Sequence, residues 1–179
     1  MAPSKGQSNV EPQRLRELAV AELDAVHRMA FYLSKNHDDA ADLPQETFLR
    51  AFSAEESFQL RSHGVRPWLF KILHNVFYTR IGKKQCEPSL AEGLQHHAVP
   101  SELDNPPPCW DLASLDWEQV DECLKEAVCD LPTHYREVLL LWAVEGLKYR
   151  QIVEVLETPL GTVMSRLCRA RAILSSKLA

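Results

Sequence analysis

Three groups of side chains in this sequence have types and spacings that could do chemistry. Asp38, Asp39, Asp42 and Glu46 place carboxylates on adjacent turns of a helix, as a divalent cation or a basic surface would require. Lys71, His74, Asn75 and Tyr78 recur at i, i+3, i+4 and i+7, so a helix would carry them along one polar edge. Around that edge Trp68, Phe70 and Phe77 interleave with Arg80, Lys83 and Lys84, a mixture suited to holding a single nucleic-acid strand by stacking and phosphate contact. The third group lies in TPLGTVMSRLCRARAIL, residues 158–174, where Arg166, Arg169 and Arg171 accompany Thr162, Met164 and Ser165.

The carboxylates admit two chemistries. DDAAD, residues 38–42, satisfies the DDxxD pattern with which terpenoid synthases hold magnesium diphosphate. Such an enzyme also needs a large helical cavity and a second acidic metal motif, and the sequence offers neither, so a surface facing a basic partner is the better reading beside a plain solvated face. Among the aromatics, Trp68 and Phe70 are expected in the core, because large rings at helical spacing usually pack.

The last group is ordered by its helix. Val163, Leu167, Ala170 and Leu174 form one apolar stripe, and at about 100° per residue the opposite face presents Ser165, Cys168, Arg169 and Ala172. Thr162, Met164, Arg166 and Arg171 flank that face. Small residues at its centre would let the helix approach base edges, while flanking arginines reach phosphates. Basic residues late in a helix are also favoured by its dipole, so a solvated surface helix is the competing explanation. Thr158 is expected to cap this helix and Pro159 to take its first position.

The elements that position these groups are all helical. Leu15, Leu18, Ala19, Val26, Met29 and Leu33 predict one long first helix, and Leu69, Ile72, Leu73 and Val76 predict another, opened by Pro67 as its first residue. Val120 to Leu131, Val138 to Val144 and Leu147 to Leu156 predict three short helices ahead of the basic one, which suggests a helix-turn-helix. Cys123 and Cys129 are expected to pack.

Composition limits the alternatives. A chain of 179 residues with 45% hydrophobic content and net charge −5 is a globular protein, not a disordered one. No window approaches the roughly 20 apolar residues of a membrane span, so no membrane insertion is expected. MAPSKGQSNVEPQ lacks the apolar stretch of a secretory signal, which suggests a cytoplasmic protein. The 5 cysteines are odd in number and show no CxxC, in keeping with reduced thiols. His96, His97 and Cys109 match no zinc spacing, and no metal or cofactor is expected.

Residues 1–86 carry 12 Lys+Arg against 10 Asp+Glu, residues 87–116 carry none against 6, and residues 117–179 carry 8 against 9. The acidic middle also holds Pro106, Pro107 and Pro108, so it reads as a linker between two small helical domains, 1–86 and 117–179.

The run LPTHYREVLLLWAVEGLKYRQIVEVLETPLGTVMSRLCRARAIL, residues 131–174, resembles region 4 of the extracytoplasmic-function (group 4) sigma factors of the sigma-70 family, which reads the promoter −35 element. DDAADLPQETFLRAF, residues 38–52, is similar to region 2.2, and RPWLFKILHNVFYTRIGKKQ, residues 66–85, to regions 2.3 and 2.4, which melt and read the −10 element. The resemblance implies a sigma factor with no catalytic activity, whose Asp42, Gln45, Glu46 and Phe48 dock on the clamp helices of the largest subunit of core RNA polymerase, with the flap as a further contact. It implies −10 contacts from Lys71, His74, Asn75, Tyr78, Arg80, Lys83 and Lys84, with Arg61 and His63 of FQLRSHGV, residues 58–65, at the position where family members trap a flipped base. For promoter DNA at −35 it implies Thr162, Met164, Ser165, Arg166, Arg169 and Arg171. It further implies an anti-sigma factor, and GTVMSRL leans toward the thiol-stress subgroup held by zinc-binding anti-sigma proteins. In the family the linker threads near the polymerase active centre; from composition alone a solvated tether explains it equally.

The competing class is a stand-alone helix-turn-helix repressor or activator, which would need a dimerisation element that the sequence does not show. Three residues depart from the family pattern. Pro44 falls inside the docking helix, where a proline costs about 3 kcal/mol, and a kink or a restart at Asp42 is expected. Glu157 stands in the helix-turn-helix turn where glycine is common, and Thr79 replaces an aspartate.

Overall fold

The computed structural model describes residues 12–54, 64–84 and 121–178, and every regular element among them is an α-helix. The chain divides into two compact units, Met1–Ile81 and Gly82–Ala179. Residues 87–116, the acidic stretch, lie outside the described residues.

The first unit holds α1 (Pro12–Val20), α2 (Leu23–Ser34), α3 (His37–Ser53) and α4 (Val65–Lys84). The expected single first helix is therefore two. At the break the ladder tightens, Glu22 N–H donating to the Ala19 carbonyl three residues back at 3.1 Å. The Glu22 carboxylate accepts from Arg66 Nε of α4 at 2.6 Å, so the break is pinned to the head of α4. Between α2 and α3 the chain turns at Lys35, left-handed with φ 53°. Asn36 then caps α3, its side chain accepting from the Asp38 N–H at 3.0 Å, with Asp38 and Asp39 in the positive first turn.

α3 is one continuous helix through Pro44 and does not restart at Asp42. The proline is buried, so its ring contributes packing that offsets the hydrogen bond it cannot donate. One turn on, the buried Thr47 hydroxyl donates to the Leu43 carbonyl at 2.7 Å. Pro67 lies at the third position of α4, not the first, still within the turn whose N–H groups have no helical acceptor. The core of this unit gathers Leu15, Met29, Leu33, Leu43, Leu69 and Leu73, each at most 2% exposed, and Phe70 joins them. Trp68, expected beside it, is only half-buried.

The second unit holds α5 (Glu122–Cys129), α6 (Thr133–Ala143), α7 (Tyr149–Leu156) and α8 (Leu160–Leu178). α6 is its centre, buried from Arg136 to Ala143. Arg136 is 1% exposed and donates to the carbonyls of Cys129 and Leu131 at 2.7 and 2.9 Å, which satisfies the acceptors at the end of α5. Cys129 is half-buried there, but Cys123 is exposed on the outer side of a two-turn helix and does not pack as expected. Gly146, with φ 66°, turns α6 toward α7, and Leu147 N–H closes the turn on the Leu141 carbonyl at 2.9 Å. Gln151 Oε1 then accepts from the Lys148 N–H at 2.8 Å at the start of α7.

α7 and α8 form the helix-turn-helix. Its turn passes through Glu157 at φ 50°, ψ 36°. α8 begins at Leu160, and the Pro159 carbonyl accepts from the N–H groups of Thr162 and Val163 at 2.9 and 3.1 Å. Pro159 thus stands just outside the helix, and Thr158 does not cap it: its hydroxyl is buried with no hydrogen-bond partner among the described residues. Val163, Leu167 and Ala170 anchor α8 in the core, and Lys177 pairs with Asp130 at 2.9 Å to fasten its far end to the end of α5.

A side chain at the left-handed position of Glu157 is strained by about 1 kcal/mol. Glu157→Gly is therefore expected to exceed Glu157→Ala in stability by about 1 kcal/mol. Denaturant unfolding of the two full-length variants, followed by far-UV dichroism, measures the difference.

Candidate docking and nucleic-acid interfaces

α3 presents Asp42, Gln45 and Leu49 at i, i+3 and i+7, all exposed, Asp42 with 64% of its side chain and Leu49 with 69% of its surface open to solvent. Leu49 was not expected here; a leucine in a helix is assigned to the core unless its phase against the buried stripe is known. Phe48 is the converse. It is 9% exposed, with its ring 5.9 Å from that of Phe52, so it belongs to the core rather than the docking surface. One residue of phase separates Phe48 from Leu49, and Leu43, Thr47 and Ala51 settle which is turned in.

Glu46 sits beside this stripe and is held by two arginines. Arg50, one turn on, donates from Nη2 to Oε1, and Arg80 of α4 donates from Nε to Oε2 at 2.8 Å. Burial works to raise the Glu46 carboxyl, but the hydrogen bonds from Arg80 and Arg50 and their charges outweigh it and hold it below its usual 4.5. The folded chain accordingly binds fewer protons at this group than the unfolded one. The stabilisation is complete above the ordinary carboxylate range and is lost as pH falls through the lowered folded value.

Arg80 also lies 3.6 Å from Asp42, Nη1 to Oδ2. Expected as a −10 contact, it is instead bound to the carboxylates of α3. The rest of the α4 edge stands as spaced: Lys71 and His74 are half-buried, Asn75 and Tyr78 exposed. The rings of His74 and Tyr78 lie 4.6 Å apart, and Phe77 meets Tyr78 edge-on at 5.2 Å, so a buried ring props the exposed one. Thr79 turns its hydroxyl back to the Asn75 carbonyl at 2.6 Å. Arg61 and His63 lie outside the described residues, as do the side chains of Lys83 and Lys84 in the last turn of α4.

On α8, Ser165, Cys168, Arg169 and Ala172 are exposed opposite the buried Val163, Leu167 and Ala170, while Thr162, Met164 and Arg166 are half-buried at the margins. Ser165 Oγ donates to the Thr162 carbonyl at 3.1 Å. Arg169 Nη1 lies 3.4 Å from the hydroxyl of Tyr135 on α6, a long contact that leaves the guanidinium at the surface. Arg171 departs from expectation. Its guanidinium covers the ring of Trp142 at 4.5 Å, and its Nε is buried with no hydrogen-bond partner among the described residues. Half-buried, it packs in the α6–α8 contact rather than standing at the surface as Arg169 does. Lys148 and Arg150, both exposed at the start of α7, add cations to the first helix of the pair, the one that crosses the DNA backbone in this motif.

Residues 18–86 match the family described as Sigma-70 region 2, and residues 121–174 match Sigma-70, region 4. The ECF RNA polymerase sigma factor EcfG of Rhodopseudomonas palustris is 34% identical over 164 residues, 92% of this chain and 84% of that one. The chain belongs to the ECF RNA polymerase sigma factors. The ECF sigma factor SigE of Mycolicibacterium smegmatis is also 34% identical, over 163 residues that make up 91% of this chain but only 61% of the relative. Among solved structures, the sigma factor RpoE in complex with the anti-sigma factor NepR, from Bartonella quintana, superposes with TM-score 0.67 and 27% identity over 93% of this chain and 97% of that one. CnrH, in complex with the cytosolic domain of CnrY, shares the fold at TM-score 0.60 and 21% identity, over 94% of this chain and 89% of that one.

The sigma factor's described surfaces fall inside the matched regions: α3 and the edge of α4 in region 2, the outward face of α8 in region 4. Two of its arginines two positions apart thus differ in surroundings, Arg169 at the surface and Arg171 against Trp142. Arg169→Ala is expected to relax base preference at one −35 position, with a roughly ten- to hundredfold loss on the preferred sequence and no change in melting. Arg171→Ala is expected to cost about 1 kcal/mol of stability through the lost contact with Trp142, and to weaken all promoters alike. Transcription across a library of −35 variants, together with thermal unfolding of each variant, separates the two.

Proposed function

We propose that this sigma factor binds core RNA polymerase and directs promoter-specific initiation, with no reaction of its own. The observation that carries the proposal is the presence in one chain, in order, of a region 2 bundle and a region 4 helix-turn-helix. A stand-alone repressor or activator would use the second and leave the first without a role.

In this account the stripe Asp42, Gln45 and Leu49, with Glu46 beside it, docks on the clamp helices of the largest subunit, the exposed Leu49 adding apolar area to the contact. Lys71, His74, Asn75 and Tyr78 hold the −10 strand, the tyrosine by stacking and the lysine at phosphate. Arg61 and His63 serve the flipped base, and Lys83 and Lys84 extend the cationic track. Thr162, Met164, Ser165, Arg166 and Arg169 read the −35 duplex in the major groove, and Lys148 and Arg150 take its backbone. Residues 1–86 and 117–179 act as the two domains, and residues 87–116 as the acidic connection between them. Polymerase and nucleoid place the work in the cytoplasm, and no helix among the described residues is long and apolar enough to cross a membrane. An anti-sigma protein restrains the chain, as NepR is bound to RpoE in the similar structure.

Run-off transcription with purified core polymerase tests the proposal. Core alone is expected to give no promoter-specific product, and core plus this chain a discrete one. A lack of product across a genomic promoter library, or repression of a product made by another sigma factor, would overturn it.

A further inference from the structure

We propose that Arg80 is a positioning residue for the docking face of α3 and not a promoter contact, a role that rests on the assignment of that face to polymerase. Arg80 reaches from α4 to two carboxylates one turn apart on α3: Nε lies 2.8 Å from Glu46 Oε2 and Nη1 3.6 Å from Asp42 Oδ2. Arg50 takes the other oxygen of Glu46. Both oxygens of that carboxylate are thus held, one from its own helix and one from the next, and its plane is fixed.

The exposures give the arrangement a direction. The Arg80 side chain is 28% exposed, close to the 30% of Glu46, while that of Asp42 is 64% exposed, so Asp42 is the member of the cluster turned furthest outward. Two of its nitrogens face carboxylates of α3, so swinging the guanidinium out to a phosphate would loosen a carboxylate that its arginines hold below the ordinary range. Asp42, Glu46, Arg50 and Arg80 together carry no formal net charge. A neutral quartet draws a basic partner weakly at long range, so recognition depends on acceptors held in fixed directions, and fixing them before contact removes an ordering cost from binding.

A titration of fluorescently labelled full-length chain against core polymerase, without DNA, reads this role where no promoter contact exists. Arg80→Ala is expected to weaken core binding about three- to tenfold. Arg80→Lys, which keeps the charge but loses the fork, is expected to recover only part of it. The double variant Arg80→Ala with Glu46→Gln is expected to be little weaker than Glu46→Gln alone, because Arg80 acts through that carboxylate. Retained helical content and melting behaviour in Arg80→Lys exclude a folding defect as the cause. An unchanged core affinity for Arg80→Ala, with a fall in the affinity of core-saturated holoenzyme for −10 fork DNA, would overturn the proposal and return Arg80 to the promoter. Leu49→Ala and Gln45→Ala separate the proposal from its premise. Should both leave core affinity intact, the docking face itself is misassigned; should they weaken it while Arg80→Ala does not, only the positioning role fails.

Discussion

Each functional helix in this chain has one face to give, because the other is needed to hold a core built from four helices. α8 shows the constraint most plainly. Val163, Leu167 and Ala170 bury one side of it, and the side that remains is narrow: Ser165, Cys168, Arg169 and Ala172. The residues at the margin are divided between the two uses, and Arg171, 80° around from Val163 at about 100° per residue, goes to the core through Trp142. α3 divides in the same way, with Phe48 turned in and Leu49 out. The surfaces of this sigma factor are what the packing leaves over.

That division explains how an acidic chain serves a polyanionic target. Among the described residues several of its cations are paired at short range, Arg50 and Arg80 with Glu46, Arg66 with Glu22, Lys177 with Asp130. In the proposed function the attraction to DNA is local to α4, α7 and α8. Two small surfaces on separate compact units give little affinity unless something holds them at the spacing of the promoter elements, and a linker alone supplies only a modest effective concentration. In the proposed function core polymerase supplies that spacing.

The sequence was legible where information is local. The stripe of α8, the edge of α4 and the helical class follow from periods of 3 and 4 residues, while the left-handed turn at Glu157 was suggested only by the resemblance, since glutamate carries no turn signal of its own. It was illegible where a partner stands on another helix. Nothing near Arg80 in sequence announces Glu46, 34 residues before it, and nothing near Arg171 announces Trp142. Both arginines therefore look like nucleic-acid contacts until the fold supplies their partners. The break between α1 and α2 was hidden for the same reason, since Glu22 is a good helix former held at a break by Arg66 of α4. Phe48 and Leu49 differ by one step of helical phase, which an apolar pair in sequence does not resolve.

On the proposed function, promoter recognition belongs to the chain and core polymerase together. Gel shift at physiological salt, with the same promoter fragment and a scrambled control, measures it directly in the presence and absence of core. The free chain should bind both fragments weakly and alike, and addition of core should produce a tight complex with the promoter alone. Tight, sequence-specific binding by the free chain would contradict the claim and favour a stand-alone regulator.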